Sequence, residues 1–600
     1  MRWHKLLMAA AAMACGLAAD LPPLPYRFLL VISDQWKDPA SYVIEEGGEF
    51  QTIVALLKSW GLPFDILRLD QQRLDKYHLL DRDGRPRHGA IIWDAGPAQL
   101  EGRNVGLVPE LVREHGVSVV VLGDAVAPAE ISALAGVRYV SDFISTDNLK
   151  LEGEHFISRG LSGRENGFLP EGAYWPGHKA VAGAASTVMS RGPHPFLTVR
   201  EVEGGGRVAW LGAHRGSNQL QRQVVRDLFK RCLVWAHGYA LYAEYPNSIM
   251  LLMDDMGTSD KTFLSYWSYR TPTEEEIREG LIEPLKKHRA VLVQNVNTGW
   301  VDRKSQRVLN PWKQDRVVDA LVPGRVHDFA STKRGLDAGL REGVFEIQSQ
   351  GWTHMLPDLD SPPGPWWTAP MDGVGSLGWW TEFGDPVRGR EVPAATQVFH
   401  MRRSIEYIQE DFGVVPLFLM RGGGGFGRSY ANHSARLAAQ AGFGLSELGG
   451  DEYLGPDLVV RMAPVIQSGS WDYRKRLSPA EIPWTGDGPY WLVFHDRDLA
   501  MDVRSIERLL GDLGPGVRYM SANEYCAYMH ARVERDVAAP AGLSLAIHYD
   551  DHYCRYFASH ASTWTLHLAD AARRALKTPQ PEKQRVEIPR GLGRRLVAVK

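Results

Sequence analysis

Short apolar runs alternate with helical stretches over the first part of the chain. Four of these runs predict buried strands: 28–34, 89–94, 117–123 and 207–212. Residues 50–60 have helical spacing that ends at Gly61, and residues 219–236 predict a closing helix. Continuous apolar strands between helices are typical of a parallel, doubly wound sheet. The pattern therefore predicts the α/β class, with a first domain at 24–240.

This first region resembles the flavodoxin-like fold of glutamine-amidotransferase-like domains. The sequence shows no cysteine nucleophile on a strand-to-helix elbow. Cys232 is the only cysteine of the region, and it falls inside the predicted closing helix. Amidotransferase chemistry is therefore not expected, and a sugar-binding or scaffolding role is the better hypothesis.

A second series of strands and helices, at about 244–536, differs in how its strands end. Its apolar runs are 248–253, 290–293, 344–347, 415–420 and 490–494. Each run stops at polar residues of a catalytic type: Asp254 and Asp255; Gln294, Asn295 and Asn297; Gln350 and His354; Arg421; and His495 and Asp496. In α/β barrels, side chains just past the carboxyl ends of the strands converge at one mouth. We therefore expect these side chains to lie close together.

The last stretch of the chain, 538–600, changes to alternating polar and apolar residues. Alternation at 543–549 and 563–568 predicts strands, and 584–589 and 595–599 predict closing strands. This pattern predicts a small β-rich domain. It leaves open whether the domain is an accessory sugar-binding module or only packs against the rest.

Length and composition narrow the class of protein. A chain of 600 residues is too long for one hydrophobic core, and about two to four domains are expected. A formal net charge of −3 gives no sign of a basic surface, so nucleic acid is not an expected partner. The 19 tryptophans fit either stacking on sugar rings or ordinary core packing, and both interpretations stay open.

The N-terminus is typical of an export signal. Two basic residues precede an apolar run at 6–17, and small residues follow before Asp20. We predict a signal peptide at 1–19 and an exported protein, periplasmic or extracellular. A lipid anchor at Cys15 is the weaker alternative, and no later segment is apolar enough to span a membrane. Cleavage leaves three cysteines, of which one pair could form a disulfide: Cys232, Cys526 and Cys554.

The polar strand ends of the second region, taken in order, resemble the motifs of the polysaccharide deacetylases, the NodB-homology superfamily. The segment around Asp254 and Asp255 resembles the first motif, whose first aspartate is the general base and whose second binds the metal. The segment that ends at His354 resembles the second motif, in which two histidines four residues apart complete the metal site. Gln350 stands at the position of the first of these histidines.

Two further motifs extend this resemblance. Arg421, followed by a run of glycines, resembles the third motif, whose arginine orients the base. His495 resembles the general acid of the last motif, and residues 519–525 resemble the closing strand and helix. The resemblance implies a distorted β/α barrel over 244–536. It also implies a metal-dependent deacetylase that acts on an acetylated polysaccharide.

The chemistry of deacetylation agrees with these residue types. Amide hydrolysis needs an activated water, a polarised carbonyl and a proton for the leaving amine. A divalent metal, expected to be zinc with cobalt or nickel as alternatives, supplies the first two, and Asp255 and His354 are suitable ligands. Asp254 can take the water's proton, and His495 can protonate the amine. Arg421, paired with Asp254, would favour the charged form of that carboxyl group.

Gln350 is the departure from the pattern. A glutamine oxygen is a weaker ligand than imidazole for zinc-like ions. Three outcomes stay open: Gln350 ligates weakly, another group such as His327 or Asn297 takes its place, or the site lacks a metal and the barrel only binds sugar.

A segment rich in tryptophan, at about 361–393, follows His354 and is expected at the barrel mouth. Exposed indole rings there would stack on sugar rings, although packing within an irregular insertion explains them equally well. The glycines after Arg421 would let the backbone approach the substrate. The candidate substrate-binding residues are Trp352, Trp366, Trp367, Trp379, Trp380, Gly422 and Gly423.

Two other functions compete with deacetylation. The first is a non-catalytic relative that binds polysaccharide, which Gln350 favours. The second is a glycoside hydrolase with paired carboxylates such as Asp254 and Asp496, which would have to flank a groove about 5–10 Å apart. A buried cluster of Asp255, His354 and a third ligand would favour the deacetylase.

Overall fold

The computed structural model of the chain is the basis of the fold described here. The described residues are 24–32, 49–69, 72–95, 104–123, 127–146, 149–161, 175–214, 219–264, 267–302, 304–305, 307–319, 321–357, 359, 380–385, 389–423, 425–429, 431–447, 452–455, 458–461, 465–536, 543–576 and 580–599. The predicted signal peptide and Cys15 lie outside them. So do Trp366, Trp367 and Trp379.

The first region forms a sheet with helices between its early strands. Its strands are β1 (Phe28–Ile32), β2 (Phe64–Arg68), β3 (Ala90–Asp94), β4 (Ser118–Leu122), β5 (Val137–Thr146), β6 (Lys150–Leu151), β7 (Trp175–Ala182), β8 (Ser186–Arg191), β9 (His194–Glu201) and β10 (Arg207–Leu211). Its helices are α1 (Glu49–Ser59), α2 (Lys76–Leu79), α3 (Leu107–His115), α4 (Ala129–Ala135) and α5 (Gln223–His237). Strands β2, β1, β3, β4 and β10 lie side by side in that order, all parallel. This is the α/β arrangement that the continuous apolar runs predict.

The far edge of this sheet differs from the expected fully parallel sheet. Strands β9, β8 and β6 follow β10, and each is antiparallel to its neighbour. Two residues join β8 to β9, and a turn with Gly204 and Gly205 at φ of 100° and 95° joins β9 to β10. Connections this short can join only antiparallel strands. The sheet is therefore mixed, and the resemblance to amidotransferase-like domains gains no support.

The second region continues the alternation of strand and helix and adds short antiparallel pairs. Its strands, after β11 (Tyr239–Tyr242), are β12 (Ser248–Met256), β13 (Leu292–Val296), β14 (Trp300–Asp302), β15 (Arg307–Leu309), β16 (Val317–Val318), β17 (Val326–His327), β18 (Phe345–Ser349), β19 (Gly384–Asp385), β20 (Arg390–Glu391), β21 (Phe418–Met420), β22 (Leu445–Glu447), β23 (Glu452–Gly455), β24 (Leu458–Arg461), β25 (Ser468–Ser470), β26 (Tyr490–His495) and β27 (Arg518–Tyr519). Its helices are α6 (Glu274–Ile277), α7 (Glu283–His288), α8 (Phe329–Arg341), α9 (Ala394–Phe412), α10 (Ser434–Ala441), α11 (Asp496–Met501), α12 (Ser505–Leu513) and α13 (Ala522–His530), with a π-helical turn between α6 and α7.

The main sheet of this region has the order β22-β21-β18-β13-β12-β26-β25, and every neighbouring pair is parallel. Strand β27 pairs with the start of β12. Within the described residues no strand pairing joins β22 to β25, so the sheet is open there. Because all of its strands run the same way, their carboxyl ends meet at one mouth.

The C-terminal strands are present as the alternation predicts, but they share their sheets with the rest of the chain. They are β28 (Arg532–Arg535), β29 (Leu543–Tyr549), β30 (Ser562–Leu568), β31 (Lys583–Ile588) and β32 (Gly593–Val599), with α14 (Tyr556–Ser559) and α15 (Asp570–Ala575). Strand β30 lies between β31 and β11, and β29 lies between β28 and β32. Each three-stranded sheet thus includes a strand from outside the predicted 538–600 domain.

One hydrophobic core also joins the three regions. It contains Phe229 of α5, Leu417 next to β21 and Trp564 of β30, each with no exposed surface. Three free cysteines are buried in it as well: Cys232, Cys526 and Cys554. In the part of the chain that the structure describes, no helix is long and apolar enough to cross a membrane.

Trp564 contacts residues of other regions, so its removal should destabilise the shared core. Its ring would lie 2.6 Å from a Cβ placed on Gly61, it stacks edge-on to Tyr528 at 5.3 Å, and its indole N–H donates to Tyr549. We expect Trp564→Ala to lower the free energy of unfolding by about 3–5 kcal/mol, measured by urea denaturation. Tyr77→Ala, at a side chain that is 77% exposed, is the control and should cost less than about 0.5 kcal/mol. Equal losses in the two variants would contradict a core shared among the regions.

Candidate active site

A β-bulge at the end of β12 turns two adjacent aspartates into the barrel mouth. Met253 pairs with Gln294 of β13 and Met256 with Val296, so β12 has one residue more than its partner between these pairs. Asp255 in the bulge has a φ of 69°, in the left-handed region. Adjacent residues of a regular strand point to opposite faces, and a bulge changes that direction. Both Asp254 and Asp255 consequently line the same cavity.

This cavity has a volume of about 560 Å³ and lies at the carboxyl ends of the barrel strands. Residues at or just past the ends of β12, β18, β21 and β26 reach it, as the sequence pattern predicts. Glu447 of β22, which the pattern did not include, lines it too. The residues predicted after the 290–293 run do not line it: Gln294, Asn295 and Asn297. Its lining includes Asp254, Asp255, Asp260, Trp267, Gln350, His354, Trp380, Arg421, Gly423, Glu447 and His495.

Asp254 is buried and held by an amide from the next strand. Its Oδ1 accepts a hydrogen bond of 2.7 Å from Asn295 Nδ2. Burial, reinforced by the neighbouring carboxylate of Asp255, raises the pKa of Asp254 to about 8. We expected Arg421 to pair with Asp254, but the ion pair of Arg421 in the structure is with Glu447, 3.2 Å from Nε to Oε2.

Asp255 is surrounded by donors and cations. Its Oδ2 accepts a hydrogen bond of 2.9 Å from Trp267 Nε1, and its Oδ1 accepts one of 3.1 Å from Gln350 Nε2. Burial opposes the charged form, but the electrostatic effect of His495, His354 and Lys261 outweighs it and holds the pKa of Asp255 below its usual value. The two adjacent carboxyl groups therefore have pKa values that are moved in opposite directions.

His354 faces Asp255 with one ring nitrogen and Asp260 with the other. Nε2 lies 3.7 Å from Asp255 Oδ1, and Nδ1 lies 2.8 Å from Asp260 Oδ2. Burial opposes its charged form, but the carboxylates of Asp260 and Asp255 outweigh this and raise the pKa of His354 to about 9. Its backbone φ of 59° is in the left-handed region, which few non-glycine residues adopt.

Glu382 holds the turn that carries His354. It has no exposed surface, and its carboxylate accepts hydrogen bonds of 3.0 Å from three successive backbone N–H groups, those of Trp352, Thr353 and His354. His400 Nδ1 lies 2.6 Å from the same carboxylate. Successive N–H groups of this kind form an anion-binding nest. The carboxylate therefore stabilises the unusual backbone conformation from inside the protein.

His495 ends β26 beside the two aspartates. Its ring packs edge-on to Trp267 at 5.0 Å, and its backbone N–H donates to Asp498 Oδ2 at 3.0 Å. Its Nδ1 is buried and has no hydrogen-bond partner among the described residues. His495 itself lines the cavity.

Asp496, the residue after His495, does not line the cavity. It is fully buried, forms an ion pair with Lys261 and accepts a hydrogen bond from Tyr269. Burial raises the pKa of Asp496 to about 6. A side chain held in this way cannot flank a groove with Asp254, so the geometry opposes the paired-carboxylate glycoside hydrolase.

The predicted sugar-binding tryptophans and Gly423 divide into three groups. Trp380 and Gly423 line the cavity. Trp352 instead packs edge-on to Phe399 and His400, at 5.6 and 5.0 Å. The remaining tryptophans, Trp366, Trp367 and Trp379, lie outside the described residues.

The glycines after Arg421 are needed by the protein's own packing. A Cβ on Gly422 would lie 3.0 Å from the ring of His354, and one on Gly423, which has a φ of +74°, would lie 2.6 Å from the carbonyl oxygen of Trp380. We expected these glycines to admit a substrate. In the structure glycine is also required at these two positions because a side chain would clash with His354 or Trp380.

The site meets only part of what a hydrolytic zinc ion requires. Zinc sites of this type have three protein ligands, and a separation of 3.7 Å lets Asp255 and His354 share one ion. The Gln350 amide is bonded to Asp255 at both ends: its Oε1 accepts the backbone N–H at 2.7 Å, and its Nε2 donates to Oδ1 at 3.1 Å. The group that Gln350 directs at the Asp255 carboxylate is therefore an NH₂ donor, which cannot ligate a metal. His327 and Asn297, the predicted substitutes, do not line the cavity. No cluster of three or more His, Cys, Asp or Glu side chains that could hold a metal ion occurs among the described residues. The residues present therefore do not fit a three-ligand zinc centre.

Sequence reasoning missed several residues that shape the cavity. Trp267 and Glu382 lie away from the strand ends that carried the prediction, and Asp260 begins a short 3-10 helix after β12. Asp260 follows the first motif by a few residues and could have been proposed as a partner of His354. Nothing in the local pattern around Glu382 identifies it, because its contacts with residues 352–354 depend on the tertiary fold.

No protein-family model and no curated protein matches the chain. Solved structures that resemble it include Agd3, a carbohydrate deacetylase, with 11% identity and a TM-score of 0.36 over 96% of this chain and 97% of that one. T48 deacetylase has 12% identity and a TM-score of 0.23 over 47% of this chain and 92% of its own. The Xyl-CE4 domain of a multidomain xylanase from the hindgut metagenome of Trinervitermes trinervoides has 12% identity and a TM-score of 0.22 over 47% and 89%.

The role of Glu382 can be tested by stability. We expect Glu382→Ala to lower the free energy of unfolding by at least about 3 kcal/mol, because each buried N–H left without an acceptor costs about 1–3 kcal/mol. The measurement is urea denaturation. Glu410→Ala is the matched control: this residue pairs with Lys313 at the surface and is 56% exposed, so its loss should cost less than about 1 kcal/mol. A loss as small as that of the control would show that Glu382 does not hold the His354 turn.

Proposed function

We propose that the chain is a carbohydrate deacetylase-type hydrolase that removes acyl groups from a polysaccharide. The observation that carries this proposal is the β-bulge that turns Asp254 and Asp255 into one cavity with His495. An ordinary strand end would present one carboxylate there. A buried acid–base pair in a cavity is what acyl hydrolysis requires.

The proposed roles use side chains alone, since Gln350 is not available as a metal ligand. Asp254 accepts a proton from water while the water oxygen attacks the acyl carbon. The bond from that carbon to the sugar nitrogen or oxygen then breaks, and His495 gives a proton to the leaving atom. The products are acetate and a free amine or hydroxyl group. Asn295 keeps the Asp254 carboxylate in place through its 2.7 Å hydrogen bond, and Arg421 on the cavity wall offers a positive charge to the oxyanion.

A polysaccharide substrate fits the composition of the cavity walls. The indole rings of Trp267 and Trp380 line it together with the polar groups, and aromatic rings with a polar neighbourhood suit sugar rings. Agd3, one of the solved structures named above, is a carbohydrate deacetylase, and the proposed substrate is of that class. We further propose that the protein acts outside the cytoplasm, on the basis of the predicted signal peptide at 1–19.

A specific observation favours a second candidate, which is a relative that binds polysaccharide without hydrolysing it. Both the oxygen and the NH₂ group of the Gln350 amide form hydrogen bonds with Asp255. Because hydrolases of this type use a metal to polarise the acyl carbonyl, the loss of a metal ligand at this position favours binding without hydrolysis. The two candidates share a substrate class and differ in whether acetate is released.

Acetate release separates the candidates. We expect the purified chain to release acetate from N- or O-acetylated oligosaccharides, and Asp254→Asn to lower the rate by about 10²–10⁴-fold, the usual contribution of a general base. Substrate binding, measured by calorimetry, should be retained in the variant. Asp337→Asn, in a surface ion pair with Lys333, is the control and should keep the full rate.

Two results would contradict the proposal. Full acetate release by Asp254→Asn would remove Asp254 as the base. Sugar binding without acetate release by the unaltered chain would favour the non-catalytic candidate.

A further inference from the structure

The orientation of the Gln350 amide is fixed by its two contacts with Asp255. A backbone N–H can only donate, so the atom 2.7 Å from Asp255 N has to be the amide oxygen of Gln350. The other end of the amide is then the NH₂ group, which donates to Asp255 Oδ1 at 3.1 Å. Gln350 thus holds both the backbone and the side chain of a single residue.

The bulge explains why Asp255 needs this partner. A bulged residue leaves the hydrogen-bond ladder of its sheet, and a buried N–H without an acceptor costs about 1–3 kcal/mol. Gln350 supplies the missing acceptor at a site that is 2% exposed. Its oxygen is therefore used in keeping the bulge that aims Asp254 and Asp255 at the cavity.

The same contact directs the NH₂ group of Gln350 at the Asp255 carboxylate. A metal ligand at that position would need a lone pair, which an amide NH₂ group does not offer. Asp255 Oδ1 is the oxygen that faces His354 Nε2, and it accepts from Gln350 as well. Trp267 donates to the other oxygen. His354 turns Nδ1 towards Asp260 Oδ2, 2.8 Å away, and Nε2 towards Asp255 Oδ1, 3.7 Å away. A carboxylate behind one ring nitrogen is typical of a histidine that is oriented for metal binding.

We infer that Gln350 holds Asp255 by hydrogen bonds instead of serving as a third metal ligand. The cavity is then a two-ligand site, formed by Asp255 and His354, that binds zinc only weakly. This inference deepens the proposed function and rests on it for the choice of site. A single change at position 350 should then complete the ligand set. Gln350→Glu keeps an oxygen for the Asp255 N–H and exchanges the NH₂ donor for a second carboxylate oxygen beside Asp255 and His354.

Zinc content tests the inference on the full-length chain. Each variant is equilibrated with Zn²⁺ alone, dialysed against metal-free buffer and measured by elemental analysis, and affinity is measured by calorimetric titration. We expect the unaltered chain to retain well below one equivalent. Gln350→Glu should retain about one equivalent and bind at least about 100-fold more tightly, because even the loss of a group behind a ligand costs about 10–100-fold. Adding His354→Ala to Gln350→Glu should abolish the gain.

Two further variants keep the test decisive. Gln397→Glu makes the same change at another buried amide, which bonds to Ser434 and to backbone oxygens outside the cavity, and should gain no zinc. Gln350→His supplies an imidazole ligand if Gln350→Glu fails to fold, because two carboxylates at this position repel each other without a cation. It should also gain zinc in a manner that depends on His354.

The outcomes are distinct from those of the proposed function. One equivalent of zinc in the unaltered chain that is lost with His354→Ala would overturn the inference, and so would folded position-350 variants that gain no zinc. Acetate release from the same samples reports on the proposed function alone. If the unaltered chain neither retains zinc nor releases acetate, the inference about Gln350 stands and the proposed hydrolase activity is contradicted.

Discussion

Two adjacent carboxyl groups, those of Asp254 and Asp255, are buried at the end of one strand and repel each other when both are charged. The cavity surrounds them with different partners, which move their pKa values in opposite directions. Asp255 receives the donors, from Trp267 and Gln350, and its Oδ1 lies 3.7 Å from His354 Nε2. Asp254 receives one amide hydrogen bond and the unfavourable charge of its neighbour. Burial alone would move both pKa values upwards. The unequal distribution of donors makes one group a stable anion and the other a group that can exchange a proton.

The rest of the barrel supports this arrangement in a way that follows from its topology. All strands of the sheet are parallel, so polar residues can collect at one end while the strands themselves stay apolar. The cost is strain at the mouth, where Asp255 and His354 both have left-handed backbone conformations. Such conformations persist only when the surroundings determine them. Gln350 does this for Asp255 and Glu382 does it for His354, each through backbone N–H groups.

Much of the fold and part of the site could be predicted from the sequence. Continuous apolar runs located β1, β3, β4, β10 and β12 because a fully buried strand needs no polar face. Strands β8 and β9 were missed because polar residues such as Ser190 and Thr198 interrupt their apolar runs. The sequence placed Asp254, Gln350 and His495 at one mouth, but it could not reveal the bulge, which is a shift of one residue in register against β13. It also could not show that Gln350 is a hydrogen-bond partner, since that depends on the distance to a backbone N–H.

A crystal structure of the full-length chain soaked in zinc tests the central claim about this cavity most directly. The claim is that the Gln350 amide binds Asp255 and leaves two protein ligands. We predict that the Gln350 oxygen stays on the Asp255 N–H, and that any anomalous signal from zinc is weak and contacts only Asp255 and His354 among protein atoms. A fully occupied zinc ion with the Gln350 oxygen at about 2.0–2.2 Å would contradict the account, because Gln350 would then be a ligand and the bulge would keep its shape without it.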